Sequence, residues 1–170
     1  MGYQLIETIE VGSGGAASIE FTGIDGTGQD LVLLVSARYS NNSSAGDVTI
    51  NGDTGNTAYS SMRLQGNGSA VSTAFFPIGD LPNLLGVGNA DNATANTFGN
   101  TEMTFSNYTS SQYKSVSING VSENNATTAF ALMYAGVWQN TSAITSIKWS
   151  ATAGQTLVQY STGSLYMITE

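Results

Sequence analysis

The chain has 170 residues, carries a formal net charge of −8 and contains only four basic residues, Arg38, Arg63, Lys114 and Lys148. This length makes about one domain and buries a core without disulfides or metals. Four scattered cations cannot build the basic stripe that a nucleic acid requires, and they suit an anionic membrane equally badly. We therefore expect neutral or polar partners, namely glycans or other protein surfaces.

Histidine and cysteine are both absent from the chain. Their absence removes Ser-His-Asp and Cys-His nucleophile systems and the histidine and thiolate ligands of zinc. Residues 1–11 lack the basic and apolar regions of a signal peptide, and no stretch approaches the roughly 20 apolar residues of a membrane span. We expect no enzyme activity, no catalytic residue, no cofactor site and no metal site.

Alternating apolar residues between turn clusters rich in Gly, Asn, Ser and Thr predict short β-strands along the whole chain. The predicted strands cover residues 4–11, 17–22, 30–39, 48–51, 60–65, 71–76, 97–108, 113–121, 128–138, 143–150 and 163–169. Residues 80–96, which contain Pro82 and several leucines, are predicted to be a long connection between sheets. Its leucines either cap the core or form a contact surface.

The longest charge-free, mostly apolar run is Thr128 to Trp138. Its apolar residues occupy both odd and even positions and so point to both faces of a strand, which is typical of a strand covered on both faces. We predict that this strand is the centre of a β-sandwich. The whole chain, residues 1–170, is predicted to be one all-β domain, a jelly-roll β-sandwich of roughly ten short antiparallel strands. Residues 1–11 are a possible N-terminal arm that pairs with a neighbouring subunit.

Three sets of residues are candidates for a site. Twelve acidic residues allow a glycosidase pair on geometry alone, but most lie in predicted turns, where solvated acids are the simpler interpretation. The segment Asp25–Asp30 resembles a calcium loop only faintly, because it lacks the ligand spacing of an EF-hand. Four tyrosines near turns can stack on sugars or pack at strand ends, and we favour packing for Tyr39, Tyr59, Tyr108 and Tyr113.

Three stretches carry a family resemblance: residues 47–69, residues 95–110, and residues 123–129 taken together with 136–147. They resemble a group of tailed-bacteriophage virion proteins from marine and environmental phages. That group has an "Asn-Gly-Asp…Tyr-Ser…Arg-Leu-x-Gly-Asn-Gly-Ser" block, a "Thr-Phe-Gly" strand, a "Gly-x-Trp-x-Asn-Thr-x-Ala-Ile-Thr-Ser-Ile" block and a terminal "Leu-Tyr-Gly-Ile" strand. Here Met167 replaces the glycine of the last motif. The resemblance extends from about Asp30 to the end of the chain.

The resemblance implies a fold and a virion setting, because its motifs are structural. Such proteins are similar to single-domain jelly rolls that assemble, usually as trimers, on heads or tails. Because the sequence shows no fibrous shaft, we expect a capsid decoration (cement) protein on the virion surface, made in the host cytoplasm, whose partners are the major capsid protein and other copies of itself. The alternative is a tail or fibre protein that binds host glycans. Trp138, Ile144 and Ile147 are then core residues.

Overall fold

The computed structural model describes residues 2–125, 129–152 and 154–169, and in these ranges the chain forms twelve β-strands and no helix. Within these described ranges, no helix is long and apolar enough to cross a membrane. Thr128, predicted to begin a strand, and residues 126–127 of the 123–129 motif lie outside the described residues. The strands are β1 Gly2–Glu10, β2 Ser18–Thr22, β3 Asp30–Ala37, β4 Ala45–Ile50, β5 Tyr59–Gly66, β6 Val71–Phe76, β7 Leu84–Val87, β8 Gly99–Phe105, β9 Lys114–Glu123, β10 Ala129–Trp138, β11 Ser146–Ala151 and β12 Thr162–Thr169.

The strands form two antiparallel sheets that share one hydrophobic core. The large sheet has the order β1-β12-β3-β8-β9-β10-β5-β6, and the small sheet has the order β2-β11-β4-β7. Buried residues of both sheets meet between them, among them Leu33, Phe105 and Trp138 of the large sheet and Phe21 and Trp149 of the small one. The predicted all-β sandwich is confirmed.

Two hairpins, β5–β6 and β9–β10, extend the large sheet beyond β8. When these hairpins are set aside, each sheet keeps four strands, β1-β12-β3-β8 in one and β2-β11-β4-β7 in the other. The small sheet contacts the large one chiefly where β7 lies against β5, β8 and β9 and where β2 lies against β12. The hairpins therefore add sheet area whose inner face is covered only in part.

β7 corrects the prediction that residues 80–96 are a connection without a strand. Leu84 and Val87 of β7 are buried in the core, so these residues do not form a contact surface. The fully buried Thr101 of β8 links the sheets: its hydroxyl donates to the carbonyl oxygen of Val87 at 2.8 Å and accepts from its N–H at 3.0 Å. A hydroxyl thereby satisfies backbone groups that would otherwise be buried without a partner.

The prediction that residues 128–138 form a central strand covered on both faces is wrong. β10 lies between β9 and β5 in the extension of the large sheet. Leu132, Tyr134 and Trp138 are buried, whereas the alternate residues Ala131 and Met133 are exposed. The reason is that the small sheet covers only the inner face of the large one. Periodicity reports apolar residues on both faces of a strand but not whether both faces are covered.

β1 is an edge strand of its own chain, because it pairs antiparallel with β12 over residues 2–10. In this structure the N-terminal segment thus forms an edge strand of the domain. Eight of its nine residues are exposed, and only Ile9 packs partly against the core. The strand therefore adds little to the core.

A charged clamp holds the loop between β7 and β8. The Arg38 guanidinium donates to four backbone carbonyl oxygens of this loop, those of Asp91, Ala93, Thr94 and Thr97, at 2.8–3.1 Å. From the other side, the Glu123 carboxylate accepts from the Thr94 N–H at 2.6 Å and from the Thr97 hydroxyl at 2.8 Å. Two ionised side chains thus replace the regular hydrogen bonds that the loop lacks.

Candidate functional site

The outer face of the large sheet carries an apolar surface that no part of the described chain covers. We call it the outer apolar patch, and it comprises six exposed residues of β5, β6, β9 and β10: Met62, Leu64, Val71, Phe75, Val121 and Met133. Their exposed fractions range from 44% for Leu64 to 72% for Val71. Single exposed apolar residues are ordinary, whereas a contiguous group marks a contact surface.

The strand register places these residues side by side. Met62 is opposite Phe75 across β5–β6, and Leu64 is opposite Met133 across β5–β10. Val121 is opposite Ala131 across β9–β10. Directly opposed residues have Cβ atoms about 4.5–5.5 Å apart, so the patch is continuous over four strands. A shallow trough of about 480 Å³ runs through it.

β5 is oriented opposite to its hydrophobic pattern. Met62 and Leu64 point outward and are 55% and 44% exposed, whereas Ser61 on the alternate face is 4% exposed. Arg63 and Gln65 share the inner face with Ser61 and are half-buried. A half-buried strand ordinarily directs its apolar residues to the core. The inversion therefore leaves an apolar outer face on β5 that no part of the described chain covers.

The patch is also uncharged, although the chain has a net charge of −8. None of its six residues is ionisable, and of the residues that line the trough only Glu102 is charged. Charge depletion in a patch with a polar border is the composition found at the centre of protein interfaces. The arrangement suits an apolar, neutral protein surface better than an ion or a polar small molecule.

The tyrosines considered for sugar stacking are mostly core residues. Tyr39, Tyr59 and Tyr108 are at most 1% exposed. The Tyr59 hydroxyl donates to the Asp53 carbonyl oxygen at 2.9 Å and accepts from the Ile50 N–H at 2.9 Å. Burial raises the pKa of Tyr59, with the Ile50 hydrogen bond opposing the shift. These three tyrosines pack at strand ends, as favoured from the sequence, and cannot stack on a ligand.

Tyr113 is different, because it is 58% exposed and lies beside a polar groove of about 210 Å³. The groove is otherwise lined by serine and amide side chains, those of Ser106, Asn107, Ser110, Gln112 and Ser115. Beside it, the buried Lys114 ammonium donates to the carbonyl oxygens of Ser110 and Gln112 at 2.7 and 2.5 Å. Burial lowers the pKa of Lys114, and the side chain fixes the turn.

Three of the acidic residues accept hydrogen bonds in or beside turns. Asp25 accepts from the Thr27 hydroxyl at 2.7 Å, and this bond holds the pKa of Asp25 below its ordinary value. Asp30 accepts from the Asn107 N–H at 2.7 Å. Asp53 accepts from the Trp138 indole N–H at 3.0 Å. Within residues 2–125, 129–152 and 154–169, no three His, Cys, Asp or Glu side chains come together in a group that could hold a metal ion.

Sequence reasoning missed the outer apolar patch, although its signal was present. The alternation of Met62 and Leu64 with polar residues predicts the strand at residues 60–65, but periodicity does not say which face is inward. The composition of β6, Val71–Phe76, indicated that the apolar face of β5 points outward. β6 lies at the edge of the sheet, where charged residues are common, and yet it carries none. Comparison with known proteins adds no constraint: no family model, no curated protein and no solved structure matches this chain.

Proposed function

We propose that this chain is a non-enzymatic structural protein of a tailed-phage virion, a jelly-roll decoration protein that binds the major capsid protein on the head. The resemblance of residues 47–69, 95–110 and 136–147 to virion proteins supports the setting. The observation that carries a binding role rather than a catalytic one is the inverted β5, which turns Met62 and Leu64 outward.

The strand order supports the jelly-roll assignment. Eight strands in two four-stranded sheets, formed by two Greek keys, make a jelly roll. In chain order, strands β1 to β4 alternate between the two sheets, β7 joins the same sheet as β4, and β7, β8, β11 and β12 alternate again. β12 thereby lies beside β1 and β3, and β11 lies beside β2 and β4. The hairpins β5–β6 and β9–β10 are then insertions that form the outer apolar patch. The fold supplies a rigid frame and the insertions supply the contact surface.

The proposed occupant of the outer apolar patch is an apolar, neutral surface of the major capsid protein. Burial of a fully exposed methionine or leucine side chain contributes about 1.5–3 kcal/mol. Met62 and Met133 are 55% and 57% exposed, so burying both contributes about 1.5–3 kcal/mol in total, which is at least about tenfold in affinity. Many copies on one head add avidity without new contacts.

The test is binding of the purified protein to phage heads that lack it, measured by co-sedimentation. A Met62→Ser/Met133→Ser variant should lose at least about tenfold in affinity. A Tyr113→Ser/Tyr160→Ser variant is the matched control, because it removes two side chains of similar exposure outside the patch. Equal binding of both variants would refute the role of the patch. Binding to tails but not to heads would refute decoration.

A second candidate function, binding of host glycans by a tail or fibre protein, is supported by the groove beside Tyr113. An exposed aromatic ring next to amide and hydroxyl groups is a composition suited to sugars. Under this alternative, Tyr113→Ala reduces adsorption of phage to host cells and leaves virion assembly intact. Tyr160→Ala is the control, since Tyr160 is equally exposed at 62% but does not line the groove.

A further inference from the structure

The two ends of the large sheet are edge strands, and they differ in how they are protected. β1 has a register irregularity between Leu5 and Glu7 and carries Glu7 and Glu10. Bulges and charges are the usual devices that prevent an edge from pairing with another chain. β6, Val71–Phe76, has neither: its register with β5 is continuous, and it contains no charged residue and no proline. An unprotected edge of this kind is a template for pairing with another strand.

The hairpin geometry shows which residues of β6 can pair. The Asn67 N–H donates to the carbonyl oxygen of Ala70 at 3.1 Å, so these residues form a hydrogen-bonded pair at the turn. Hydrogen-bonded and non-hydrogen-bonded pairs alternate along an antiparallel ladder. Val71, Thr73 and Phe75 therefore direct their backbone N–H and C=O groups away from β5, toward the open edge.

We propose that β6 pairs antiparallel with β6 of a second copy of this chain, about a two-fold axis at Thr73. In this register Thr73 lies opposite the Thr73 of the second copy, and Val71 lies opposite its Phe75. The three symmetric pairs 71–75, 73–73 and 75–71 exchange about six backbone hydrogen bonds. The segment is thus complementary to itself, which an isologous interface requires.

The side chains favour the same pairing. Aromatic–β-branched and Thr–Thr cross-strand pairs stabilise a sheet, and this register supplies two Val–Phe pairs around one Thr–Thr pair. Two copies with a charge of −8 each repel one another, but β6 itself carries no charge, so no like charges face each other across the new pair. Val71 and Phe75 are 72% and 62% exposed in the single chain.

Pairing through β6 joins the outer apolar patches of two copies into one surface, because Val71 and Phe75 belong to the patch. The contact is independent of the virion assignment, since it rests on the edge strand alone. A two-fold contact gives dimers, whereas the trimer implied by the resemblance needs a different, heterologous contact. The mass of the assembly in solution therefore distinguishes the two.

The experiment is sedimentation equilibrium of the full chain and of variants at position 73. The wild type should sediment at twice its 17.6 kDa. Thr73→Lys and Thr73→Glu each place two like charges face to face, and each should weaken dimerisation at least tenfold. An equimolar mixture of Thr73→Lys and Thr73→Glu should recover the dimer, because opposite charges then face each other. Thr73→Val is the control and should remain dimeric.

Thr73→Pro tests the backbone contact separately. It removes the N–H that faces the open edge and leaves the pairing with β5 intact, as proline is tolerated at the free side of an edge strand. Circular dichroism verifies that each variant folds. A monomeric wild type would overturn the proposal. So would a wild-type trimer whose mass does not change in the Thr73→Lys variant. A mixture of the two charged variants that stays monomeric would overturn it as well.

Discussion

The Trp149 indole packs against two glycines where no larger residue fits. Substitution of one of these glycines therefore tests the packing of the core. Gly46 and Gly86 are directly opposite each other across β4–β7, and the Trp149 indole lies against both. A Cβ atom at Gly86 would overlap Trp149 Cη2 and Cζ3, and one at Gly46 would lie 2.5 Å from Cζ2. The indole is fully buried, and its N–H donates to the Tyr39 hydroxyl at 3.1 Å, so it has little freedom to move.

We predict that Gly86→Ala lowers the free energy of unfolding by about 2–3 kcal/mol, the upper part of the range for overpacked cores. With a urea slope of about 2 kcal/mol per M, the unfolding midpoint should fall by about 1 M. Gly66→Ala is the matched control: a Cβ there meets nothing within 4 Å, and the midpoint should change little or rise. Circular dichroism in urea measures both.

A double-mutant cycle isolates the cause. Trp149→Phe is destabilising by itself, but a phenyl ring does not reach the positions of Cη2 and Cζ3. Adding Gly86→Ala in that background should therefore cost less than about 0.5 kcal/mol, which gives a coupling energy of about 2 kcal/mol. An equal cost of Gly86→Ala in both backgrounds, or equal costs at Gly86 and Gly66, would refute the steric argument.

Two further predictions concern the clamp on the loop between β7 and β8. Arg38→Met keeps the aliphatic stem but removes four hydrogen bonds, so the free energy of unfolding should fall by about 2–3 kcal/mol in urea titrations; a loss below about 0.5 kcal/mol would contradict the clamp. The Asn125 N–H, followed by the Thr97 and Thr94 donors, lowers the pKa of Glu123 from its ordinary 4.5. A lowered folded-state pKa gives stability that is present above pH 4.5 and is lost as the pH falls through the folded pKa. Stability measured from pH 7 to pH 3 should therefore fall less steeply below pH 4.5 in Glu123→Gln than in the wild type, and identical pH profiles would contradict the assignment.

Much of the fold is predictable from the sequence because alternation and turn residues are local signals. Residues 71–76 form a strand with the predicted bounds. β7 was missed because Leu84–Val87 is only four residues long and lies among glycines and Pro82. It is a strand because β4 pairs with it and Thr101 of β8 bonds to Val87, two contacts distant in sequence. Such tertiary contacts decide the structure of short segments over local propensity.

The candidate site was less predictable for a different physical reason. Periodicity separates the two faces of β5 but does not say which face lies against the core. The hydrophobicity of Met62 and Leu64 suggests that their face is the inner one, whereas in the structure it is the outer one. Asparagine content is a more reliable signal: Asn51, Asn107 and Asn125 adopt positive φ values of 53°, 51° and 54°, so these residues shape turns, as the polar clusters in the sequence predict. A site that consists of an uncovered sheet face becomes visible only when the second sheet is placed.

The most direct test of the structural role is a cryo-EM map of intact virions that carry this protein. Decoration predicts β-sandwich density repeated regularly over the head, with strands β5, β6, β9 and β10 of the large sheet against the capsid lattice. Density confined to the tail, or heads decorated with the outer apolar patch facing solvent, would contradict it.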